Sequence, residues 1–322
     1  MILVVTTFLR GSSYVKICNT PELRRRTLDD FCVAAGPSSK ELAMKIAAET
    51  RSRVVNVESK IFPDGESYIR IVEEYLPHYT VLVQSTYPPQ DRHIMQLCLM
   101  IERLQEMNTN VIAVVPYLAY ARQHRAFLPG ESISLKVLAR MMEAAGASRV
   151  ITVDIHNVEG LGYFSIPANS LSAVRDIAFY LKERISPENT LVVAPDHGAK
   201  IRAETLSVHL GTDFAVAKKE RDRITGEVTV SLPEIEVVRN KNVIVIDDMI
   251  STGGTVSAIA KILKAAHAKE VIVVCTHALL TDDAMERLKK SGVNEFIATD
   301  TVPGEFSKVS VSHAISEFIR RL

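Results

Sequence analysis

Seven short runs of aliphatic and β-branched residues recur along the chain: "FCVAAG" (31–36), "TVLVQST" (80–86), "NVIAVVPY" (110–117), "RVITVDIH" (149–156), "TLVVAPD" (190–196), "NVIVIDD" (242–248) and "EVIVVCTH" (270–277). Most are apolar on both faces of an extended chain, so each must be covered on both sides, as in a parallel sheet flanked by helices. The stretches between them supply those helices. "KELAMKIAAET" follows Ser39, a residue able to cap it, and "DRHIMQLCLMIERLQEM" carries apolar residues at helical spacing. Strands alternating with helices predict a doubly wound α/β architecture. At 322 residues the chain exceeds one ordinary domain, and a junction is expected near 170–178. The shared Asn-Val-Ile-x-Val of "NVIAVVPY" and "NVIVIDDM" suggests two similar halves.

Apolar residues make up 47% of the chain, ample for sizeable cores. Lys+Arg and Asp+Glu are equal at 38 each, so no bulk field selects nucleic acid or a membrane surface. The four cysteines (Cys18, Cys32, Cys98, Cys275) are scattered and read as reduced packing residues of a cytoplasmic protein. No apolar run approaches the roughly 20 residues of a membrane span, and "MILVVTTFLR" is a poor signal peptide. Residues 1–30, with "NTPELRRRTLDD", fit neither pattern.

The chemistry gathers at strand ends, where open α/β sheets bind ligands. In "VIVIDDMISTGGT" (243–255) a buried strand ends in Asp247 and Asp248, then turns through Gly253-Gly254 into a helix. Amides of residues 252–255 at a helix N-terminus suit an anion, and Thr252 and Thr255 add hydroxyl donors. The two acids repel a phosphate but suit sugar hydroxyls or the water shell of magnesium. The stretch therefore reads as a ribose-5-phosphate cradle. "VDIH" places Asp154 and His156 on one side of an extended chain, and "APDHG" places Asp196 before a tight turn; a strand-end His is more often structural, and the functional reading of both is a magnesium bound to triphosphate. "AKKERDRITGE" (217–227) reads either as a solvated hairpin or as a basic loop closing over phosphates. "AYARQHRAFLPGES" (119–132) and "FPDGES" (62–67) read as loops.

Taken together, "FPDGE", "PYLAYARQHR", "TVDIHNVEGLGYFSIPANSL", "APDHGAKIRAETL", "KKERDRITGE", "VIDDMISTGGT" and "THALLTDDAMERL" with "ATDTVP" resemble the ribose-phosphate pyrophosphokinase family from about Phe31 onward. The resemblance implies two doubly wound parallel-sheet domains of phosphoribosyltransferase-like type, residues 31–174 and 175–322. Residues 306–322 would pack back on the first. It also implies ATP and ribose 5-phosphate as substrates, Mg2+ as cofactor, and a homodimer or higher oligomer that shares its ATP site between subunits.

Carried onto this chain, the family's ATP-binding residues are Asp64, Gly65 and Glu66, reaching a neighbouring subunit, with Arg122 and Gln123. His156 and Asp196 match magnesium-associated positions, with Asp154 beside them. Lys219 and Arg221 match the catalytic Lys-x-Arg, while Asp247, Ser251, Thr252, Gly253, Gly254 and Thr255 match the ribose-5-phosphate site, with Asp248 adjoining. Two positions depart from the pattern: His124 stands where Asp is usual, and Ser251 where bacterial members often carry Asp. Residues 1–30 precede the usual start and are an upstream start, a tag or an extension. Without them about 292 residues remain (322 minus 30), a length like the archaeal members.

The expected reaction is diphosphate transfer from ATP to ribose 5-phosphate, giving phosphoribosyl pyrophosphate (PRPP) and AMP. The alternatives are a catalytically silent regulatory subunit of such an enzyme and a phosphoribosyltransferase that consumes PRPP.

Overall fold

The computed structural model describes residues 30–221, 228–232, 235–281 and 283–322, with the backbone alone for 218–221 and 228–230. Most of the N-terminal extension therefore lies outside the described residues. The first half runs β1 (Phe31–Ala35), α1 (Lys40–Thr50), β2 (Arg53–Val55), a hairpin of β3 (Val57–Ile61) and β4 (Ser67–Ile71), then β5 (Tyr79–Val83) and α2 (Gln90–Glu106). It continues through β6 (Asn110–Val115), α3 (Ser134–Ala144), β7 (Ala147–Val153), β8 (Ala168–Leu171) and α4 (Val174–Lys182).

The second half repeats the plan. It has β9 (Thr190–Ala194), α5 (Lys200–Leu210), β10 (Asp213–Val216), a hairpin of β11 (Lys218–Arg221) and β12 (Val228–Ser231), and β13 (Asn242–Ile250). Then come α6 (Gly254–Ala265), β14 (Glu270–Ala278), α7 (Ala284–Lys290), β15 (Glu295–Thr299), β16 (Ser307–Val309) and α8 (Ser312–Ile319).

Two six-stranded parallel sheets result, ordered β2-β1-β5-β6-β7-β8 and β10-β9-β13-β14-β15-β16. Position for position the orders are the same, and each half sets its antiparallel hairpin after its second helix-linked strand. The central strands are buried along most of their length, with alternate residues feeding opposite faces. By this repeat α4 corresponds to α8, and we place the division between the halves after α4, at 183–189.

On one face the two halves are not separate. α4 packs on α5 and α8 packs on α1, so Val33, Val83 and Ile151 share a continuous apolar core with Val192, Ile246 and Ile297. On the opposite faces the core under α2 and α3 of the first half also takes in Met249 and Val302 of the second, while the core under α6 and α7 belongs to the second half. The carboxyl ends of the sheets meet through polar groups. Ser85 Oγ donates to Thr301 O at 2.6 Å, and Thr276 Oγ1 donates to Asp154 Oδ2 at 2.6 Å. His277, wholly buried, bridges Thr301 Oγ1 (2.8 Å) and Val153 O (3.1 Å) with its ring 5.0 Å from that of Tyr117. Burial lowers the His277 pKa, which suits a neutral ring accepting at Nδ1 and donating at Nε2.

Near this joint one carboxyl is poorly served. Asp176, on α4, has a buried Oδ2 without a hydrogen-bond partner among the described residues, and burial pushes its pKa up to about 6 against the moderating charges of His313 and Arg175. The folded state therefore holds this proton more tightly than the unfolded chain. The cost of ionising it is full above pH 6 and fades as the pH falls toward 4. Asp176→Asn is expected to raise the melting temperature by about 2–4 °C at pH 7.5, as for roughly 1 kcal/mol, with the gain shrinking by pH 4.5. Calorimetric scans at the two pH values check this; an equal gain at both would show that charge is not the cause.

Candidate active site

β13 delivers the cradle. Its apolar run ends at Ile246, after which each acid folds onto the next amide: Asp247 Oδ1 accepts from Asp248 N, and Asp248 Oδ1 accepts from Met249 N, both at 2.9 Å. The chain then turns through Gly253, whose φ of +69° belongs to the left-handed region open to glycine, and α6 begins at Gly254. Backbone bonds from Leu279 to Ile250 and from Thr281 to Ser251 tie this turn to the loop after β14. The first amides of α6 and the 251–255 hydroxyls thus open on a cavity of about 660 Å³.

The other half completes the cavity wall. Arg122 and His156 line it together with Asp196, His197, Arg202, Asp247, Asp248 and residues 251–255. His156 Nδ1 lies 2.7 Å from Asp248 Oδ2, a direct side-chain hydrogen bond at the cavity between the halves. Asp196 Oδ1 accepts from the amides of Gly198 (2.8 Å) and Ala199 (3.2 Å), which fixes the turn into α5. Asp154 stands behind the wall, its carboxylate taken up by Thr276 and by the Ala173 amide at 3.1 Å.

The two neighbouring acids are unequal. Burial, reinforced by the charge of Asp248, raises the Asp247 pKa well above the usual carboxylate range. Burial acts on Asp248 in the same sense but is overcome by the His156 hydrogen bond and the Arg202 charge, which hold it well below that range. One firm negative charge beside a second, reluctant one repels an incoming phosphate less than two full charges would.

Asp64, Gly65, Glu66 and Gln123 lie outside the cavity lining. Asp64, Gly65 and Glu66 form the exposed tip of the β3–β4 hairpin, where Asp64 Oδ1 accepts from the Glu66 amide at 3.2 Å. Gln123 adjoins Arg122, its Oε1 accepting from Ser134 Oγ. β11 and β12 pair Lys219 with Val230 and Arg221 with Val228, starting next to Ala217 at the cavity edge. The side chains of Lys219 and Arg221, and residues 222–227, lie outside the described part. His124 is buried: its Nε2 meets Asn157 Nδ2 at 2.9 Å, and its carbonyl accepts from Tyr163 OH at 2.7 Å. The departure at this position therefore packs inward.

Sequence reasoning passed over Arg202. It sits in the first turn of α5, six residues after Asp196, and its buried Nε makes no hydrogen bond among the described residues. The basic residue just inside a helix that follows "PDHG" was the available signal.

Comparison with known proteins agrees with this geometry. Ribose-phosphate pyrophosphokinase of Sulfolobus acidocaldarius is 40% identical over 291 residues, covering 90% of this chain and 99% of the relative. The chain belongs to the ribose-phosphate pyrophosphokinase family. A family model for the N-terminal domain of ribose phosphate pyrophosphokinase matches residues 31–146, and one for the phosphoribosyl transferase domain matches 165–305. The Methanopyrus kandleri ribose-phosphate pyrophosphokinase is 38% identical over 90% of this chain and 99% of its own. The crystal structure of phosphoribosylpyrophosphate synthetase from Mycobacterium smegmatis superposes with a TM-score of 0.79 at 30% identity, covering 90% of this chain and 97% of that one.

Within the cradle, Gly253 meets two constraints. An added Cβ would carry a positive φ and lie 3.3 Å from Leu288 Cγ. Gly253→Ala is expected to cost about 1–2 kcal/mol in urea melts. By displacing the amides of 252–255 it should also weaken ribose 5-phosphate binding several-fold by titration calorimetry. Unchanged affinity in a destabilised variant would remove the turn from the binding site.

Proposed function

We propose that the protein is a ribose-phosphate diphosphokinase that transfers the β,γ-diphosphate of ATP to the 1-hydroxyl of D-ribose 5-phosphate, giving PRPP and AMP. The observation behind this is the cavity itself, which sets the glycine-rich entry to α6 and the acids Asp247 and Asp248 from one half against Arg122 and His156 from the other. The cradle alone would serve a transferase that consumes PRPP; the cation and imidazole across from it supply a place for a second, nucleotide substrate.

In this reading the amides of 252–255 and the hydroxyls of Ser251, Thr252 and Thr255 hold the 5-phosphate. Asp247 and Asp248 accept hydrogen bonds from the ribose 2- and 3-hydroxyls. The sugar's O1 attacks the β-phosphorus in line; the bond from that phosphorus to the α,β-bridging oxygen breaks, AMP leaves with that oxygen, and the O1 proton passes to water. Arg122 and Gln123 hold ATP, and Lys219 and Arg221 meet charge on the transferred group. The exposed tip carrying Asp64, Gly65 and Glu66 serves the ATP site of a second copy of the chain.

Among the described residues no three His, Cys, Asp or Glu side chains gather to hold a metal alone. One imidazole and one carboxylate at the cavity wall, His156 and Asp196, fit a magnesium whose remaining ligands are phosphate oxygens and water. Bound there with ATP, magnesium would neutralise the triphosphate. With Asp154 committed to Thr276 and Ala173, its part is to support His156 rather than to touch the ion. Among the described residues no helix is long and apolar enough to cross a membrane, and Cys32, Cys98 and Cys275 are free thiols, which suits a cytoplasmic enzyme. His124, turned inward, gives no support to a catalytically silent subunit.

Phosphorus NMR of the protein with ribose 5-phosphate, ATP and magnesium, without a nucleobase, is expected to show PRPP and AMP rising in equal amounts. Pyrophosphate released from PRPP only on adding a base would make the protein a consumer instead. Lys219→Ala is expected to lower kcat by about 10²–10³-fold with little change in the KM for ribose 5-phosphate. Turnover at the wild-type rate would remove Lys219 from catalysis.

A further inference from the structure

His156 reaches Asp248 from a strained stretch of chain. Asp154, two residues earlier, has φ +38°, a conformation that L side chains rarely adopt and that persists only where the surroundings enforce it. Its own half contributes three bonds: Asp154 N to Leu171 O (2.7 Å), Ile155 N to Ser170 Oγ (3.0 Å), and Ala173 N to Asp154 Oδ2 (3.1 Å). The other half contributes two more. Thr276 Oγ1 donates to the same Oδ2 at 2.6 Å, and His277 holds the Val153 carbonyl at 3.1 Å.

Thr276 is fully buried and is not part of the cavity wall. Its place in the sheet nevertheless links it to the cavity. β13 and β14 pair Asp247 with Cys275 and Met249 with His277, so Thr276 stands level with Asp248 on the neighbouring strand. A closed circuit follows: Asp248 beside Thr276 in the sheet, Thr276 to Asp154, Asp154 through Ile155 to His156, and His156 back to Asp248 at 2.7 Å. Two adjacent positions of the C-terminal sheet thereby grip both ends of the segment that carries the imidazole.

We propose that Thr276 is a positioning residue for the reaction: through Asp154 it fixes where His156 stands over Asp248, and so aligns the nucleotide side of the cavity with the sugar side. The role rests on the diphosphate-transfer reading. In-line transfer is sensitive to such placement, since a displacement near 1 Å can cost about 10²-fold in rate. Removing the Thr276 hydroxyl leaves the Asp154 carboxylate with the Ala173 amide of its own half and no hold from the other, while β13 and α6, which build the phosphate cradle, stay in place.

Three variants test this. Thr276→Val keeps the shape without the hydroxyl, Thr276→Ser keeps the hydroxyl, and Asp154→Gly accepts the positive φ without a carboxylate. Histidine-selective nitrogen–proton NMR reads the His156 Nδ1 proton directly, assigned by its loss in His156→Gln. The low-field, hydrogen-bonded signal is expected to disappear in Thr276→Val and Asp154→Gly and to persist in Thr276→Ser. In parallel, kcat of Thr276→Val is expected to fall about ten-fold or more while the KM for ribose 5-phosphate stays within about two-fold, with Thr276→Ser near wild type.

An unchanged signal and kcat in Thr276→Val overturn the proposal, as does a Thr276→Ser enzyme impaired as badly as Thr276→Val. Should Thr276→Val not fold, Asp154→Gly carries the test alone, and a retained His156 signal there overturns it. Wild-type protein that made no PRPP would defeat the diphosphate-transfer reading, whereas the His156 signal would still decide whether Thr276 positions the imidazole.

Discussion

The carboxyl ends of two parallel sheets meet away from water, and that junction makes the rest of the molecule workable. Strand ends carry polar groups, and a buried polar group left without a partner costs about 1–3 kcal/mol. Here Ser85, Thr276, His277, Thr299 and Thr301 are all buried and all hydrogen-bonded. A neutral histidine suits the centre of such a lattice because its two nitrogens can accept on one side and donate on the other. The apolar core shared by α1, α4, α5 and α8 closes the face beside it. Satisfied polar groups thus fix the register between halves that apolar packing alone would leave loosely defined.

Chemistry follows from that register. The cradle of β13 and α6 belongs wholly to one half, so its form is local and needs only a strand end, a left-handed glycine and a helix entry. The facing wall does not have that independence. Arg122 and His156 come from the first half, and their distance from Asp247 and Asp248 is set by how the sheets abut. The unequal acids show the consequence: Asp248 is held ionised by a histidine from the other half, and Asp247 is discouraged by its neighbour and by burial.

The buried strands and the cradle were legible in the sequence for the same physical reason: each is specified by adjacent residues. "NVIVIDD" is a strand because it must be covered on both faces, and Thr-Gly-Gly-Thr is a turn because of its glycines. The β3–β4 hairpin was read only as a loop, since "VESKI" and "SYIRI" mix polar and apolar residues on a mostly exposed element. β8 and β16 are short edge strands with little apolar signal. Thr276, His277 and Arg202 were invisible as functional groups because their meaning depends on partners more than 40 residues away; Thr276 and Asp154, for example, are 122 positions apart. His124 was visible in the sequence only as a departure from the usual Asp; the fold alone shows Asn157 and Tyr163 holding it inside.

The crossed helices also bear on how the molecule comes apart. Because α4 leans on α5 and α8 on α1, neither half owns a complete cover for its sheet. Separating the halves would expose the aliphatic faces of both at once, so each half stabilises the other. Two hairpins stand outside both six-stranded sheets, at matching places in the repeat. The two matching strand ends nevertheless differ: that of β13 lines the cavity, whereas in the first half the corresponding Gln84, Ser85 and Thr86 are all wholly buried. The duplicated frame is therefore put to unequal use.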